Sequence, residues 1–362
     1  MQAAAGDRLI ARLRQELTEH PPAPPPFTIA ADRYRSEAWL ARERAALFTM
    51  PRVIAASSTI AEPGSCAPID AAGMSLLLTR DSDGRARAFH NACRHRATRL
   101  VEAPCSRKAL VCPYHGWTYD LAGALLHVPH ADAFPGRLDD RGLRELPVTE
   151  RHGFIWLGTD IAGYLGGLDA DLAALDLDHH VAFRTARVNR RCNWKLVIEA
   201  FLDGYHIRVL HRDSIYRFFI DAASVAEPVG RHIRAATARR ALRDAATSNL
   251  RELVTPSFLI FPATVAIVHP DFVSLITLHP VAPDVTEYQH VMLVPGSRTA
   301  EIEHWERSWA LIEDAVFQRE DLWVCEQVQR GITSGGTDEL LFGALETPIA
   351  WFHGSIEDRL GG

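Results

Sequence analysis

Three textures of apolar and polar positions succeed one another along the chain. Residues 7–19 read as a short amphipathic helix, and the proline run Pro21–Pro26 behind it predicts an extended break. A second helix is expected from Ser36 to Phe48, where Trp39, Leu40, Ala45, Ala46 and Leu47 sit among charges. From about residue 50 to 160 the helical period gives way to short β-type runs separated by turns. Met74–Arg80, the turn Asp81–Gly84 and Arg85–His90 predict a hairpin, with further strands at Leu110–Val111 and Gly153–Gly158. Beyond residue 160 both periods occur. Strands are expected at Arg184–Asn193, Ser257–His269, Phe272–Pro280 and Glu287–Val294, and a helix at Trp194–Leu210. A long helix runs from Glu301 to Arg330, with Gly331 as its expected C-terminal cap. The fold class is α+β. An N-terminal helical segment (1–49) packs with the C-terminal part, a small all-β domain covers 50–160, and an α+β domain with an antiparallel sheet and long helices covers 161–362.

Composition narrows the function classes. With 362 residues, 47% of them hydrophobic, the chain can bury a sizeable core and suggests two domains. A net charge of −6 without a basic block gives no electrostatic footprint for nucleic acid. No apolar run approaches the eighteen or so residues of a membrane span. The N-terminal stretch is charged throughout and lacks the apolar core of a secretory signal, so a cytoplasmic location is expected. Six cysteines, at 66, 93, 105, 112, 192 and 325, are too sparse for a disulfide scaffold and read as buried, catalytic or metal-bound thiols.

The first chemical signal is Cys93-Arg94-His95, then sixteen residues, then Cys112-Pro113-Tyr114-His115-Gly116-Trp117. Each arm offers one thiolate and one imidazole. Structural zinc sites usually pair Cys with Cys and His with His, so the mixed order counts against zinc. It suits a two-iron, two-sulfide cluster in which the cysteines hold one iron and the histidines the other. Cys105 lies between the arms and fits neither; Cys66, Cys192 and Cys325 read as small core residues. Cys93-Arg94-His95-Arg96 with Cys112 to Trp117 resembles the Rieske motif of the Rieske non-haem iron (ring-hydroxylating) oxygenase α subunits. Ala97 stands where that family usually has Gly.

The second signal spans residues 193–211. On a continuous helix Glu199, Asp203 and His206 share one polar face, while His211 lies about 140° from His206. Both histidines reach one metal only if the helix loosens or ends near residue 208. On the later helix, Phe317, Asp321, Val324 and Val328 form a stripe, which sets Asp321 in an otherwise apolar face where a metal partner would remove its burial penalty. Glu320 is the rival carboxylate. Two histidines and a carboxylate with open positions form the facial triad of non-haem Fe(II) oxygenases. Asn193-Trp194-Lys195 through His206 and His211 resembles the catalytic signature of the α subunits, and Gln318 to Leu322 resembles their later acidic segment. That family commonly has Asn where Ala200 stands.

The resemblance implies a [2Fe-2S] Rieske cluster on Cys93, His95, Cys112 and His115, and a mononuclear Fe(II) on His206, His211 and Asp321. It implies a terminal oxygenase that activates O₂ to hydroxylate an organic substrate, an aromatic compound being favoured over a quaternary ammonium compound undergoing oxidative demethylation. No GxGxxG fingerprint occurs, so NAD(P)H oxidation is assigned to a separate reductase, with or without a ferredoxin. Asp203 is suited to accept the remaining N–H of His206. In similar family members the matching Asp joins a cluster histidine of one subunit to an iron histidine of the next. Carried over, His115 of one chain meets Asp203 and His206 of its neighbour in a homotrimer or a multiple of three. Phe201, Phe218, Phe219, Phe261 and Val265 are candidate pocket residues, and His269 could orient a polar group. A Rieske electron carrier without oxygenase activity, and a scaffold or sensor with a structural metal, are the readings from other classes.

Overall fold

The computed structural model describes residues 1, 3–19, 24–71, 73–244 and 249–361; residues 21–23 of the expected proline break lie outside the described residues. The chain forms two compact units, Met1–Met50 with Ala162–Gly362, and Pro51–Ile161.

In the β unit, the hairpin Met74–Arg80 with Ala86–His90 anchors a five-stranded sheet in the order Glu145–Leu146, Ala86–His90, Met74–Arg80, Ser65–Ala71, Cys105–Ser106. Its turn closes on Asp81, whose Oδ1 accepts the N–H groups of Asp83 (3.0 Å) and Arg85 (2.9 Å). Period-two alternation gives the sheet two apolar faces. Leu76, Leu78 and Ala88 face one core with Ile54, Ile60 and Ile155. Leu77 and Phe89 face another that contains Cys93, Cys112, Trp117 and Tyr119. The candidate cluster loops are therefore rooted in the second core.

The other unit is built on a seven-stranded antiparallel sheet. Its order is His180–Arg190, Val285–Pro295, Val273–Ala282, Thr264–Val268, Val254–Ile260, His232–Arg239, Phe219–Val229. The span 257–269, expected as one strand, is two, because the Phe261-Pro262-Ala263 turn folds it into a hairpin pairing Ser257 with Ile267. The strands Phe219–Val229 and His232–Arg239 were not anticipated at all. Asn193-Trp194-Lys195 ties the N-terminal segment to this unit. Lys195 Nζ donates to Glu43 Oε1 at 2.7 Å with both side chains 1% exposed, and Trp194 Nε1 donates to Glu43 Oε2. The Asn193 side chain caps the following helix at the Lys195 N–H and donates to Tyr34 O and Pro283 O.

Two helical expectations are corrected. The helix beginning at Trp194 ends at Leu202, and a separate short helix, Ile207–Leu210, follows. Asp203 turns extended (ψ 117°) and its Oδ1 accepts the Tyr205 N–H at 2.5 Å. Gly204 then passes so near the sheet that a Cβ there would lie 2.4 Å from Ser224 Oγ. Glu199 consequently does not share a face with His206; it is buried against Tyr34 Oη (2.8 Å) and His353 Nε2 (2.7 Å). The late helix likewise does not stop at Gly331. It runs to Thr333, and its carbonyls are closed by the Gly335 N–H on Ile332 O and the Gly336 N–H on Gly331 O, with Gly335 at φ +76°. A glycine inside a helix costs only about 1 kcal/mol, which the surrounding turns outweigh. Among the described residues no helix is long and apolar enough to cross a membrane.

Candidate metal centres

In the β unit two loops of the same design face each other. The Cys93 N–H donates to Thr98 O (2.8 Å) and the Ala97 N–H returns to Cys93 O (2.9 Å). In the second loop the Cys112 N–H donates to Trp117 O (2.8 Å) and the Gly116 N–H to Cys112 O (3.0 Å). Each loop needs one left-handed residue to close, and these are Ala97 (φ +58°) and Gly116 (φ +72°). Ala97, where glycine is usual in the resembling family, thus adopts the glycine conformation at a steric cost. The first loop is braced from below by buried Asn91, whose Oδ1 accepts the N–H groups of Leu100 and Val101.

This design turns the cysteines inward and the histidines outward. Cys93 and Cys112 are each 3% exposed, whereas His95 is half-buried and His115 exposed. His95 Nδ1 and His115 Nδ1 come to 3.1 Å, and the His95 ring stacks on Trp117. Tyr119, fully buried, meets Cys93 Sγ at 3.3 Å and accepts the Arg94 N–H at 3.0 Å. Two thiols deep in the loops, two imidazole nitrogens at their rim and hydrogen-bond donors near the sulfur form a donor set that fits a [2Fe-2S] cluster of mixed ligation. Cys66 pairs across the strands with Cys105 and packs into the core beneath the loops.

In the other unit the helix break supplies the second centre. His206 and His211 flank the short helix Ile207–Leu210, so their Nε2 atoms converge to 3.0 Å. Asp321 Oδ1 lies 3.5 Å from His206 Nε2 and 3.2 Å from His211 Nε2. The three ligand atoms fall within 4.8 Å of one another. Asp321 ends a 12-residue π-helical segment, Ala310–Asp321, which hands over to the α-helix Leu322–Thr333. The wider turn shifts the buried face. It continues from Asp321 through Leu322, Cys325, Gln329 and Ile332, while Val328 is 37% exposed, so the stripe expected through Val324 and Val328 is corrected.

Both imidazoles are held from behind. The His206 Nδ1–H donates to Asp203 Oδ2 at 3.1 Å, and the His211 Nδ1–H to Glu320 Oε2 at 2.6 Å, which also accepts the Ser214 hydroxyl. Glu320 therefore stands behind His211 rather than beside Asp321, since one residue along a helix turns a side chain by about a quarter of a turn. Burial opposes charge on His206, yet Asp203 and Asp321 together push it up to about 10. Burial likewise opposes the Asp321 carboxylate, and the two histidines outweigh it, holding Asp321 below the usual range. Inward-facing Nε2 atoms, Nδ1 protons committed to carboxylates and a demand for positive charge at the centre fit a divalent cation.

The centre opens into a cavity of about 910 Å³ within the same unit. Phe201, Phe218, Phe219 and His269 line it as anticipated; Phe261 and Val265 do not, being 1% and 2% exposed in the core. Ala200 lines the cavity and brings no amide to it.

A model of the Ring hydroxylating alpha subunit (catalytic domain) family matches residues 176–362, and the Rieske [2Fe-2S] domain model matches residues 51–147. The chain is 31% identical over 220 residues to the glycine betaine monooxygenase oxygenase subunit of Chromohalobacter salexigens. That match covers 59% of this chain and 48% of the relative, so it spans about half of the relative's length. It is 25% identical over 352 residues to the carnitine monooxygenase oxygenase subunit of Acinetobacter baumannii, covering 88% and 91% of the two chains. In fold it is similar to the quaternary ammonium Rieske monooxygenase CntA (TM-score 0.81, 20% identity, 92% and 95% covered). It is also similar to naphthalene 1,2-dioxygenase from Rhodococcus sp. (TM-score 0.77, 18% identity, 98% and 97% covered). The chain belongs to the ring-hydroxylating alpha subunits, with a Rieske [2Fe-2S] domain ahead of a catalytic domain that binds mononuclear iron.

Proposed function

We propose that the chain is the terminal oxygenase component of a cytoplasmic electron-transfer system and hydroxylates a small organic molecule with O₂, an aromatic body being favoured. The observation that carries this is one cavity that joins the His206–His211–Asp321 centre to walls of Phe201, Phe218, Phe272, Phe317, Ile312 and Trp351. At about 910 Å³ it holds roughly thirty waters at about 30 Å³ each, room for a ring system rather than a few heavy atoms.

When bound, the cluster supplies single electrons and the iron activates O₂. The chain's own residues set the conditions for both. Asp203 and Glu320 keep the protons of His206 and His211 on Nδ1, leaving each Nε2 lone pair for the metal. Ser214 fixes the rotamer of Glu320. The aromatic and aliphatic walls exclude water and position the substrate body against the centre. Electrons come from a separate reductase, directly or through a ferredoxin. The functional assembly in this reading is a homotrimer in which Asp203, half-buried beside His206, also meets His115 of the neighbouring subunit.

The names of the relatives favour a second reading, oxidative demethylation of a quaternary ammonium compound. Purified holoprotein is expected to carry about three irons and two acid-labile sulfides per chain. O₂ uptake with a surrogate reductase, screened against aromatic and quaternary ammonium compounds, decides between the readings. Zinc without labile sulfide, or no substrate-dependent uptake, would overturn the oxygenase assignment. Asp203→Asn is expected to keep both metals while reoxidation of the reduced cluster in a single turnover slows sharply. Unchanged rates or an active monomer would sink the trimer.

A further inference from the structure

The charges lining the cavity do not balance. Its carboxylates are all engaged: Asp203 and Asp321 at the metal centre, Asp221 with Arg208 (2.9 Å), Glu16 with Arg12 (3.7 Å), and Glu19 with Gln15 (2.7 Å). Of the two arginines, Arg12 is paired with Glu16 and also donates to Ala226 O (3.0 Å). Arg239 is the exception. At the end of the strand His232–Arg239, it donates to Thr255 Oγ1 at 3.3 Å, and no described carboxylate lies within ion-pair distance. Its guanidinium lies over the rings of Phe218 (5.7 Å) and Phe219 (5.6 Å), which cover it with apolar surface. Burial pulls Arg239 below its ordinary value, yet a guanidinium keeps its charge in proteins, and no described side chain supplies it with an anionic partner.

The wall around Arg239 is also the polar wall of the cavity. Thr237 and Thr255 are cross-strand partners, Ser257 follows two residues on along the same strand, and His269 completes the patch with Nε2 on Ser274 Oγ at 3.1 Å. His269 is pushed down to about 3 by burial, so it stays neutral and offers no competing charge. A planar fork of N–H donors with a hydroxyl alongside is matched by a carboxylate, whose two oxygens accept in parallel.

We infer that the substrate of this chain carries a carboxylate, held by Arg239 with Thr255 while its apolar body lies against the aromatic walls. The assignment rests on the cavity being the substrate site, and it excludes purely cationic substrates. Two bodies can bear the carboxylate, an aromatic ring or a trimethylammonium group, and the experiment separates them.

Iron-loaded holoprotein is titrated without O₂ or reductant, by calorimetry, with 2-naphthoate against 2-naphthamide and with carnitine against choline. In one pair the carboxylate is expected to bind about tenfold or more tighter than its partner lacking the charge. Arg239→Met removes that preference and Arg239→Lys keeps part of it, with iron content unchanged in both. The pair that shows the preference identifies the body. Equal binding of both members in both pairs by the wild type, or a preference that survives in Arg239→Met, overturns the inference; the wild-type comparison needs no variant to fold. Binding is read without turnover. A carboxylate preference without O₂ uptake would therefore overturn the oxygenase reading and leave the anion site standing.

Discussion

The cluster loops of the β unit carry their own scaffold. In Cys93–Thr98 and Cys112–Trp117 the backbone bonds that shape each loop begin and end inside it, so ligand spacing along the chain is ligand spacing in space. The candidate iron centre is assembled the other way. His206 and His211 converge because a helix stops at Leu202 and restarts at Ile207, and Asp321 arrives from a π-helical segment over a hundred residues further on. A local scaffold tolerates changes elsewhere in the fold. A centre gathered from distant elements depends on everything that keeps them in register, including the buried Glu43–Lys195 pair at the root of the Trp194–Leu202 helix that leads to His206.

The largest effect that would break this contrast is at the ligands. Cys93→Ser or Cys112→Ser should lose all labile sulfide and visible absorption while mononuclear iron stays, because the loops belong to a separate unit. Conversely, Asp321→Ala should lose mononuclear iron and keep the Rieske spectrum. Glu320→Gln, which weakens only the support of His211, should reduce iron affinity about 10–100-fold rather than abolish it. If Glu320→Gln empties the site while Asp321→Ala does not, the ligand assignment is wrong.

The next effect is on stability. Glu43→Ala strands a buried lysine and should cost the catalytic unit about 3–5 kcal/mol, read as a lower denaturant midpoint for iron release with the cluster's bleaching transition unmoved. Acid should act on the same unit. Burial pushes His232 down to about 4 from its ordinary 6.5, against the opposing hydrogen bond to Tyr164 O. The unfolded chain therefore takes up the proton first. The stabilisation is complete above about pH 6.5, falls as the pH drops toward 4, and amounts to about 3 kcal/mol. Denaturation of wild type and His232→Gln across that window should show a shallower slope in the variant; equal slopes would remove His232 as the cause.

The smallest effect tests the loops directly. Ala97→Gly should relieve the left-handed strain and stabilise the β unit by up to about 1 kcal/mol. Gly116→Ala should destabilise it by about 1–2 kcal/mol, since a Cβ there also lies 3.2 Å from Pro129 Cγ. Matching effects of the same sign would mean that the two loops are not built alike.

The β hairpin at 74–90 and the strand at 154–157 are legible because short strand-forming runs and the turn at Asp81–Gly84 act over a few residues. The Trp194 helix was read too long because nothing local reports that Gly204 must slide past Ser224. The sequence pattern signals no strand at 219–239 and a single strand where the hairpin at 254–268 stands. Both faces of the strands at 254–268 are largely buried, so the alternation that marks a half-exposed strand is absent there. The apolar stripe favours Asp321 over its rival Glu320 as the ligand, but no helical period shows that Glu320 backs His211.

By itself, then, the amino-acid sequence determined the residue types and the short spacings: two Cys–His arms, two histidines five apart, and an acidic pair late in the chain. Those are set by covalent connectivity over distances that backbone geometry can bridge. Only the tertiary structure decided that Asp321 faces the histidines while Glu320 backs one of them, and that Glu199 is buried elsewhere. It also decided that Arg239 stands in the cavity with no counter-charge among the described residues. Each of these depends on where a helix unwinds, widens or meets a sheet. Burial and packing against residues far away in the chain settle that, and no local periodicity records it.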